Sequence, residues 1–456
     1  MAPRNESPAQ RRRIITANKI RKTYRGPNPR RNTQPRGLEN PENFCYRNAT
    51  LQSLVHLPRF VNWVMEHGEG GKDWDCQDAE NCVPCLLKTF LQSYWQDYNM
   101  KATGDVDAEP QAFLHTEPML EPLHDLADTW FPDNPKGQQD PQEFLLYLFG
   151  GITGNWDQST PHGQLRNEQF DSLVNLTLLQ HITCSLCNER YYTQHVEQLG
   201  IQPIPFLDGT DTVPAAVSRA FTSEQIANYA GCTNACRQND MILHQDSTID
   251  AAPEYLVIRL TLEQAEAGWE EKFKEMVESG SYAEQKRTKN FVRPEMVKNK
   301  SKVEVPETLD ITQHMTHQDP SATPVRYRLL HVVYHIGDSI KSGHYIAGVT
   351  SAPKNGGRVP KGEKRRGRQW MCNDSHVHPW TVPADVQNKL TVVPLDFECE
   401  DEEGKKSIEG GQPYMLWYVR DMALVEAERE DGDVGGIAAR VTEKPRQNRG
   451  KRVRGG

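Results

Sequence analysis

Cysteine is sparse in this chain, and ten cysteines in 456 residues are too few for a disulfide scaffold. They are interpreted instead as metal ligands, a nucleophile or core residues in a reducing compartment. Long apolar runs are also missing, because every uninterrupted run has the length of a strand, and this excludes a membrane span. No apolar segment follows the basic residues at the start of the chain, which excludes a secretory signal. We therefore expect an intracellular protein of the nucleus, the cytoplasm or both.

Charge is distributed unevenly along the chain, whose formal net charge is −9. Residues 1–36 carry a net charge of +10 and residues 440–456 a net charge of +6, so residues 37–439 carry −25. Such an acidic body favours a basic protein partner and makes nucleic acid an unlikely ligand for the body, whereas the basic ends could still contact nucleic acid.

Both ends of the chain are predicted to be disordered tails. Residues 1–36 lack hydrophobic periodicity, and residues 421–456 are rich in charge. The Arg and Lys clusters of the first tail are compatible with a nuclear signal and equally with a solvated, solubility-promoting tail. Order is expected to begin at Gly37.

The first half of the chain has the pattern of helices. Apolar residues in 51–55 and 60–65 recur at helical spacing on either side of Pro58. Asp140 precedes a proline and, three positions on, Glu143, which is a strong signal for the start of a helix.

The second half has the pattern of strands. Residues 256–260, 327–334, 345–349 and 414–419 are short runs rich in β-branched and aromatic residues. A helix-rich half followed by a strand-rich half predicts an α+β fold with a cleft between the layers. The charged residues 263–297 are interpreted as an insertion between strands.

Cys45 and His344 are candidate catalytic residues, although their residue types alone do not decide the matter. Cys45 stands where a loop meets a predicted helix, and a helix N-terminus favours a thiolate. A buried core cysteine fits the same position. His344 precedes a predicted strand and could equally be a structural histidine.

Six local motifs, in the order in which they occur, favour a catalytic over a structural role for Cys45 and His344. The motifs are Gly37 to Ala49 around Cys45, Gln138 to Leu145, Tyr327 to Leu330 with His335 to Gly337, Ser342 to Tyr345, Trp370 with Asn373 to Ser375, and Tyr414 to Tyr418. Over residues 37–420 the chain resembles the ubiquitin-specific protease family of deubiquitinating cysteine peptidases. The resemblance implies a papain-like catalytic domain with a helical thumb, a palm of antiparallel sheet and fingers at about residues 160–255.

The resemblance also implies the roles of individual residues. Cys45 would be the nucleophile, His344 the general base and Asn373 the residue that orients it, with Asp374 as helper or substitute. Asn40 occupies the position of the family's oxyanion-hole side chain. Catalysis would need no cofactor, and the activity would be hydrolysis of the peptide or isopeptide bond after the last glycine of ubiquitin.

Ubiquitin and ubiquitinated proteins are the partners that the resemblance implies. Five residues would contact the basic, extended tail of ubiquitin or line its groove, namely Gln139, Asp140, Tyr334, His335 and Tyr345. An alternative is a ubiquitin-binding scaffold with little or no turnover. It is suggested by Glu42 and Phe44, which stand close to the nucleophile where the family usually has glycine and a small hydroxyl residue.

Two pairs of cysteines predict a structural zinc site. Cys184 with Cys187 and Cys232 with Cys236 could supply four thiolates to one tetrahedral ion, as in the fingers of the family. The second pair has one residue more between its cysteines than the family pattern, and four free thiols are the alternative. A further cluster, Cys76, Cys82 and Cys85, lies near His67 and is interpreted as core or surface thiols.

Overall fold

A computed structural model gives the fold of the chain, whose compact unit ends at Arg420. The residues that the structure describes are 7–22, 35–68, 80–95, 117–154, 156, 158–184, 187, 190–205, 210–222, 224–226, 243–281, 292–316, 323–339, 342–351, 369–379, 390–393, 395–400 and 406–421. Cys76, Cys232, Cys236 and the predicted C-terminal tail after residue 421 lie outside them. Among the described helices, none is long and apolar enough to cross a membrane.

Helices dominate the first part of the described chain. They are α1 Pro8–Lys19, α2 Cys45–Val55, α3 Pro58–Met65, α4 Val83–Tyr94, α5 Glu117–Asp128, α6 Pro141–Thr153, α7 Pro161–Val174, α8 Val213–Ala220 and α9 Trp269–Glu278, with a 3-10 turn at Thr312–His314.

The start of α6 shows how local sequence sets these boundaries. Asp140 is the N-cap, and its carboxylate accepts hydrogen bonds from the backbone N–H groups of Gln142 and Glu143 at 2.6 and 3.4 Å. Pro141 fills the first helical position, where no N–H is needed. The predicted helix start is confirmed.

Strands dominate the second part. They are β1 Asn175–Cys184, β2 Arg190–Leu199, β3 Ile201–Pro205, β4 Thr210–Thr212, β5 Glu224–Ile226, β6 Leu243–Ala251, β7 Tyr255–Thr261, β8 Glu263–Ala265, β9 Met296–Lys298, β10 Lys302–Pro306, β11 Thr308–Asp310, β12 Arg326–Ser339, β13 Ser342–Thr350, β14 Gln369–Asn373, β15 His376–Pro379, β16 Leu390–Val393, β17 Leu395–Glu400 and β18 Lys406–Arg420.

The central sheet has nine strands and carries the predicted β runs. Its order is β15-β14-β13-β12-β18-β7-β3, with β11 beside β12 and β17 beside β18. All pairs are antiparallel except β3 with β7. The four predicted strand runs are therefore confirmed as parts of β7, β12, β13 and β18.

Smaller sheets flank the central one. A four-stranded sheet in the order β2-β1-β6-β5 extends over residues 175–251, and β16-β10-β4 form a second sheet. The predicted insertion 263–297 contains α9 between the paired strands β8 and β9.

The hydrophobic core joins the helices to the central sheet. Buried residues such as Trp63 and Phe144 from the helices belong to the same cluster as Val333 and Trp417 from the sheet. Helix α2 contacts β13, β12 and β14 directly. The first residue of α2 thereby faces the edge where β13 and β14 carry the predicted base and orienting residue, and the α+β prediction is confirmed.

Helix α1 corrects the prediction that residues 1–36 form a disordered tail. It packs against α7 and β6. Ser7 caps the helix by accepting a hydrogen bond from the Gln10 N–H at 2.9 Å and donates one to the Asp250 carbonyl at 2.9 Å. The Gln10 side chain accepts from the N–H of Ala252 at 2.7 Å.

Buried arginine completes the attachment of α1. The guanidinium of Arg59 donates to the carbonyl oxygens of Ala17 and Ile20 at the end of the helix and pairs with Glu254 at 2.9 Å. Arg13 on α1 donates in turn to Thr177 of β1 at 2.5 Å. Hydrophobic periodicity did not detect this helix because polar, charge-assisted bonds hold it rather than an apolar stripe.

Candidate active site

Cys45 is the first residue of α2 and is only 1% exposed. The N-cap residue, Phe44, makes no side-chain hydrogen bond to the first turn. The first N–H groups of a helix have no acceptor within the helix, and together they create a positive potential. The chain therefore places a thiol where negative charge on sulfur, and later on a substrate oxygen, is favoured.

His344 is the partner of this thiol. It lies near the start of β13, and its Nε2 lies 2.7 Å from Asn373 Oδ1. Burial opposes a charged imidazole, but the interaction with Cys45, the hydrogen bond to Asn373 and the charge of Asp374 outweigh it. They raise the pKa of His344 to about 9. At neutral pH the imidazolium is thus the favoured form.

Asp374 ties the two sides of the site together. Its carboxylate accepts from the side-chain amides of Asn40 and Asn48, each at 2.9 Å, and its Oδ2 lies 3.8 Å from His344 Nε2. Its backbone oxygen accepts from the Leu38 N–H at 2.8 Å. Among the described residues it alone, apart from glycines, has a positive φ, of 44°. Backbone strain of this kind is concentrated at functional sites.

Both the nitrogen and the oxygen of the Asn40 side-chain amide are hydrogen-bonded. While its Nδ2 donates to Asp374, its Oδ1 accepts from the Phe44 N–H at 2.7 Å. The amide is therefore fixed within five residues of the nucleophile. An amide nitrogen carries two N–H groups, so one is left for a substrate oxygen.

The unusual Phe44 does not fill this site. Its ring is 6% exposed and packs on His124 with centroids 4.6 Å apart, while the guanidinium carbon of Arg47 lies 4.1 Å from the ring centroid. Arg47 pairs with Asp128 at 2.5 Å. The side chain therefore packs against residues of α5 and α2.

Glu42, the second unusual residue, is paired. Its carboxylate accepts from the ammonium of exposed Lys136 at 2.7 Å, and the same ion pair raises the pKa of Lys136. The negative charge near the nucleophile is therefore partly offset by a neighbouring positive charge.

A polar and aromatic group surrounds Asp140 on the side predicted to bind the ubiquitin tail. Asp140 accepts from the hydroxyl of Tyr414, and Arg259 reaches both, donating to the Tyr414 oxygen at 2.8 Å and lying 3.4 Å from Asp140. Tyr345 is half-buried, 5.8 Å from Tyr414 between ring centroids. Sequence reasoning missed Arg259 and Tyr414, since only their position on neighbouring strands brings them to Asp140.

The other predicted tail contacts lie in different places. Gln139 is half-buried and its amide donates to the Asn134 carbonyl at 2.8 Å. Tyr334 is 0% exposed and His335 2% exposed, which corrects the prediction that they line the groove. Both are buried within β12, and burial first, then the charges of Lys298 and His344, lower the pKa of His335 to about 3.

His67, Cys82 and Cys85 form a group of metal-ligand type. Their ligand atoms all lie within 4.8 Å of one another, with the Cys82 sulfur 3.4 Å from His67 Nε2. The sequence predicts core or surface thiols here, because Cys76, Cys82 and Cys85 have no obvious further ligand apart from nearby His67, and the fold brings that histidine to Cys82 and Cys85. Cys184 and Cys187 are not disulfide-bonded, and their predicted partners Cys232 and Cys236 lie outside the described residues.

Comparison with curated proteins gives relatives that are named ubiquitin carboxyl-terminal hydrolases. Ubiquitin carboxyl-terminal hydrolase 10 of Saccharomyces cerevisiae is 24% identical over 352 residues, covering 69% of this chain and 43% of the yeast protein. Ubiquitin carboxyl-terminal hydrolase 36 of Drosophila melanogaster is 24% identical over 330 residues, covering 68% of this chain and 26% of the fly protein. The chain thus spans less than half the length of these relatives.

Solved structures show the same fold. The SAGA Ubp8/Sgf11/Sus1/Sgf73 module bound to ubiquitin aldehyde matches with a TM-score of 0.59 at 17% identity, covering 88% of this chain and 72% of that chain. The same module bound to monoubiquitin matches with a TM-score of 0.57, again at 17% identity, covering 86% and 70%. These neighbours are deubiquitinase structures, and they confirm the papain-like α+β fold.

The family model described as ubiquitin carboxyl-terminal hydrolase matches residues 36–418, which include every residue of the cysteine, histidine and asparagine site. The chain therefore belongs to the ubiquitin carboxyl-terminal hydrolase family.

Proposed function

We propose that this chain is a thiol-dependent deubiquitinase that hydrolyses the bond after the C-terminal glycine of ubiquitin on protein conjugates. The observation that carries the proposal is the placement of Cys45 at the start of α2 with His344 as its electrostatic partner, while His344 is hydrogen-bonded to Asn373 at 2.7 Å. Nucleophile, base and orienting group in this arrangement are the requirements of covalent acyl transfer.

The proposed reaction starts from the imidazolium form of His344. The Cys45 thiolate attacks the glycine carbonyl, and Asn40 with the first N–H groups of α2 stabilises the oxyanion. Imidazolium His344 gives its proton to the leaving lysine amine as the C–N bond breaks and a thioester forms. Neutral His344 then takes a proton from water, whose hydroxide attacks the thioester and releases the ubiquitin carboxylate and the thiolate.

Charge supports ubiquitin conjugates as the partner. The body of the chain carries −25, and Asp140 and Glu143 stand at the start of α6 beside the cleft. An acidic surface attracts the basic, extended tail that the family resemblance implies. The solved neighbours have ubiquitin or ubiquitin aldehyde bound.

Labelling with ubiquitin that carries a thiol-reactive C-terminal electrophile tests the function. We expect a covalent adduct with the wild-type chain and none with Cys45→Ala, because the thiolate is the attacking group. Binding of free ubiquitin by Cys45→Ala serves as the folding control. A wild-type chain that binds ubiquitin without forming an adduct would instead support the scaffold with little turnover, and a chain that does neither would exclude ubiquitin.

We also propose that His67, Cys82 and Cys85 hold a structural zinc ion. A tetrahedral zinc has Zn–S and Zn–N bonds of about 2.3 and 2.0 Å, and ligand atoms within 4.8 Å of one another suit it. Burial, then the charges of Arg166, Lys88 and His162, lower the pKa of His67 to about 4, so the imidazole is in its neutral, ligating form. Zinc at Cys184, Cys187, Cys232 and Cys236 remains our separate prediction.

Metal analysis distinguishes the two sites. Cys82→Ser is expected to remove about one zinc per chain and to lower the melting temperature, since a structural zinc contributes directly to folding free energy. Cys184→Ser reports on the other site in the same way. An unchanged zinc content in Cys82→Ser, measured by atomic emission on dialysed protein, would refute the first proposal.

An intracellular location, in the nucleus or the cytoplasm, is part of the proposal. It is supported by the cysteines of the described residues, which are not disulfide-bonded. Fluorescence microscopy of the tagged chain tests it.

A further inference from the structure

Gly343, the residue before the proposed base, lies at an irregular point of the central sheet. The β12 and β13 strands pair Ile336 with His344 and then Ser339 with Ser342, so the register shifts and Gly343 has no partner residue in this ladder. Gly337 makes the intervening bulge, with a φ of +116° that glycine tolerates. The backbone that leads into His344 is therefore less constrained by the sheet than the rest of β13.

No side chain could anchor this position. A Cβ atom added to Gly343 would lie 2.4 Å from both His335 Nε2 and the Ile336 carbonyl oxygen. Residue 343 must therefore be glycine, and only its own N–H and C=O groups can fix it.

Gln138 supplies partners for both groups. Its Oε1 accepts from the Gly343 N–H at 3.0 Å, and its Nε2 donates to the Gly343 carbonyl. One side-chain amide thus engages both backbone groups of Gly343, a residue without a partner in the β12–β13 register. All of these groups are at least partly buried, which strengthens each bond relative to water.

The loop that carries Gln138 is attached to the nucleophile side of the cleft. Arg47, two residues after Cys45, donates to the Pro135 carbonyl at 3.0 Å. Asn43, two residues before it, donates to the Lys136 carbonyl at 3.2 Å. The bonds therefore run from the start of α2 through the 135–138 loop to Gly343, and they cross from the side of Cys45 to the side of His344.

We propose that Gln138 is a positioning residue that sets His344 against Cys45 by fixing both backbone groups of Gly343. The inference rests on the proposed function and extends it. Gln138 touches neither reacting atom, so its effect passes through the base. It should therefore change the chemical step and the proton behaviour of His344, with little effect on ubiquitin binding.

Kinetics of Gln138→Ala and Gln138→Glu on ubiquitin joined by an amide bond to a fluorophore test the proposal. For Gln138→Ala we expect kcat to fall about tenfold and KM to stay within about twofold, because misplacement of a catalytic group slows chemistry. The alkaline limb of kcat should move to lower pH as His344 leaves its partners. Glutamate keeps the acceptor for the Gly343 N–H and loses the donor to the Gly343 carbonyl. We therefore expect kcat to fall less in Gln138→Glu than in Gln138→Ala.

Gln313→Ala is the matched control, because the Gln313 amide hydrogen-bonds the Ser218 hydroxyl at 3.3 Å on exposed surface. This substitution should leave kcat, KM and the pH dependence of kcat unchanged. The inference would be overturned if Gln138→Ala kept the wild-type kcat and the wild-type alkaline limb of the pH profile. A rise in KM with no change in kcat would also overturn it. Alkylation of Cys45 by iodoacetamide across pH gives a readout without ubiquitin. A shifted profile in Gln138→Ala supports positioning even if the wild type fails to hydrolyse ubiquitin conjugates, and an unshifted one contradicts it.

Discussion

His344→Ala is expected to lower kcat for hydrolysis of ubiquitin conjugates by at least about 10³-fold, because the variant loses both the acid and the base of the reaction. The measurement is steady-state turnover of ubiquitin joined to a fluorophore. His376→Ala is the matched control, since His376 is an exposed histidine at the start of β15 and contacts Ser375 at 3.0 Å. A fall of less than tenfold in His344→Ala would assign the base to another group.

The pH profile gives the same residue a second test. With its pKa raised to about 9, His344 remains an imidazolium at neutral pH and loses its proton as pH rises through 9. We therefore expect activity to decline above about pH 9. Asn373→Ala removes a hydrogen bond that helps to raise this pKa, so its alkaline limb should lie at lower pH.

Acid is expected to unfold the chain at unusually mild pH because several histidines are buried in the neutral form. Burial, with the charge of Arg47, lowers the pKa of His124 to about 3. Burial also lowers the pKa of His331 to about 3, although hydrogen bonds with Leu330 and His56 oppose the shift. Burial with the charge of His331 lowers the pKa of His56 well below its ordinary value. In the unfolded chain these groups take up protons near pH 6.5. Their stabilisation is thus complete above pH 6.5 and is lost as pH falls toward 3.

The size of this loss makes it measurable. For a histidine with a folded pKa near 3, the folded state loses about 2 kcal/mol at pH 5, and typical folding free energies are about 5–15 kcal/mol. Urea midpoints recorded between pH 8 and 5 should fall steeply for the wild type and less steeply for His124→Gln. Exposed His376→Gln should keep the wild-type slope. A constant wild-type midpoint over this interval would contradict the expectation.

Sequence patterns anticipated those parts of the fold that depend on local signals. The Asp140 and Pro141 helix start and the strand runs within β7 and β18 were predictable because caps and β-branched runs act over a few residues. Helix α1 was not, since the bonds that hold it come from Arg59 and Ala252, which are distant in the chain. A helix that is held by hydrogen bonds to distant residues need not show hydrophobic periodicity in its sequence.

The site shows the same division. Cys45, His344, Asn373 and Asn40 were found through motifs whose order is preserved, and the structure brings them together. Gln138 lay inside one of these motifs without a role, because its role depends on the register shift opposite Gly343. Tyr334 and His335 were placed in the groove from their nearness to His344 along the chain. They point to opposite faces of the sheet, as neighbouring strand residues do, and both are buried because both faces are covered at this point.

The attachment of α1 bears on where a working fragment of this protein can be cut. The family match begins at residue 36, yet the guanidinium of Arg59 donates to carbonyls of Ala17 and Ile20. A fragment starting at residue 36 would leave a cation that is 1% exposed without these acceptors. Arg59 would keep its ion pair with Glu254, but a buried guanidinium that loses hydrogen-bond acceptors lowers the free energy of unfolding. The start of the family match and the start of the packed fold therefore differ by about thirty residues in this protein, and expression should begin ahead of Ser7.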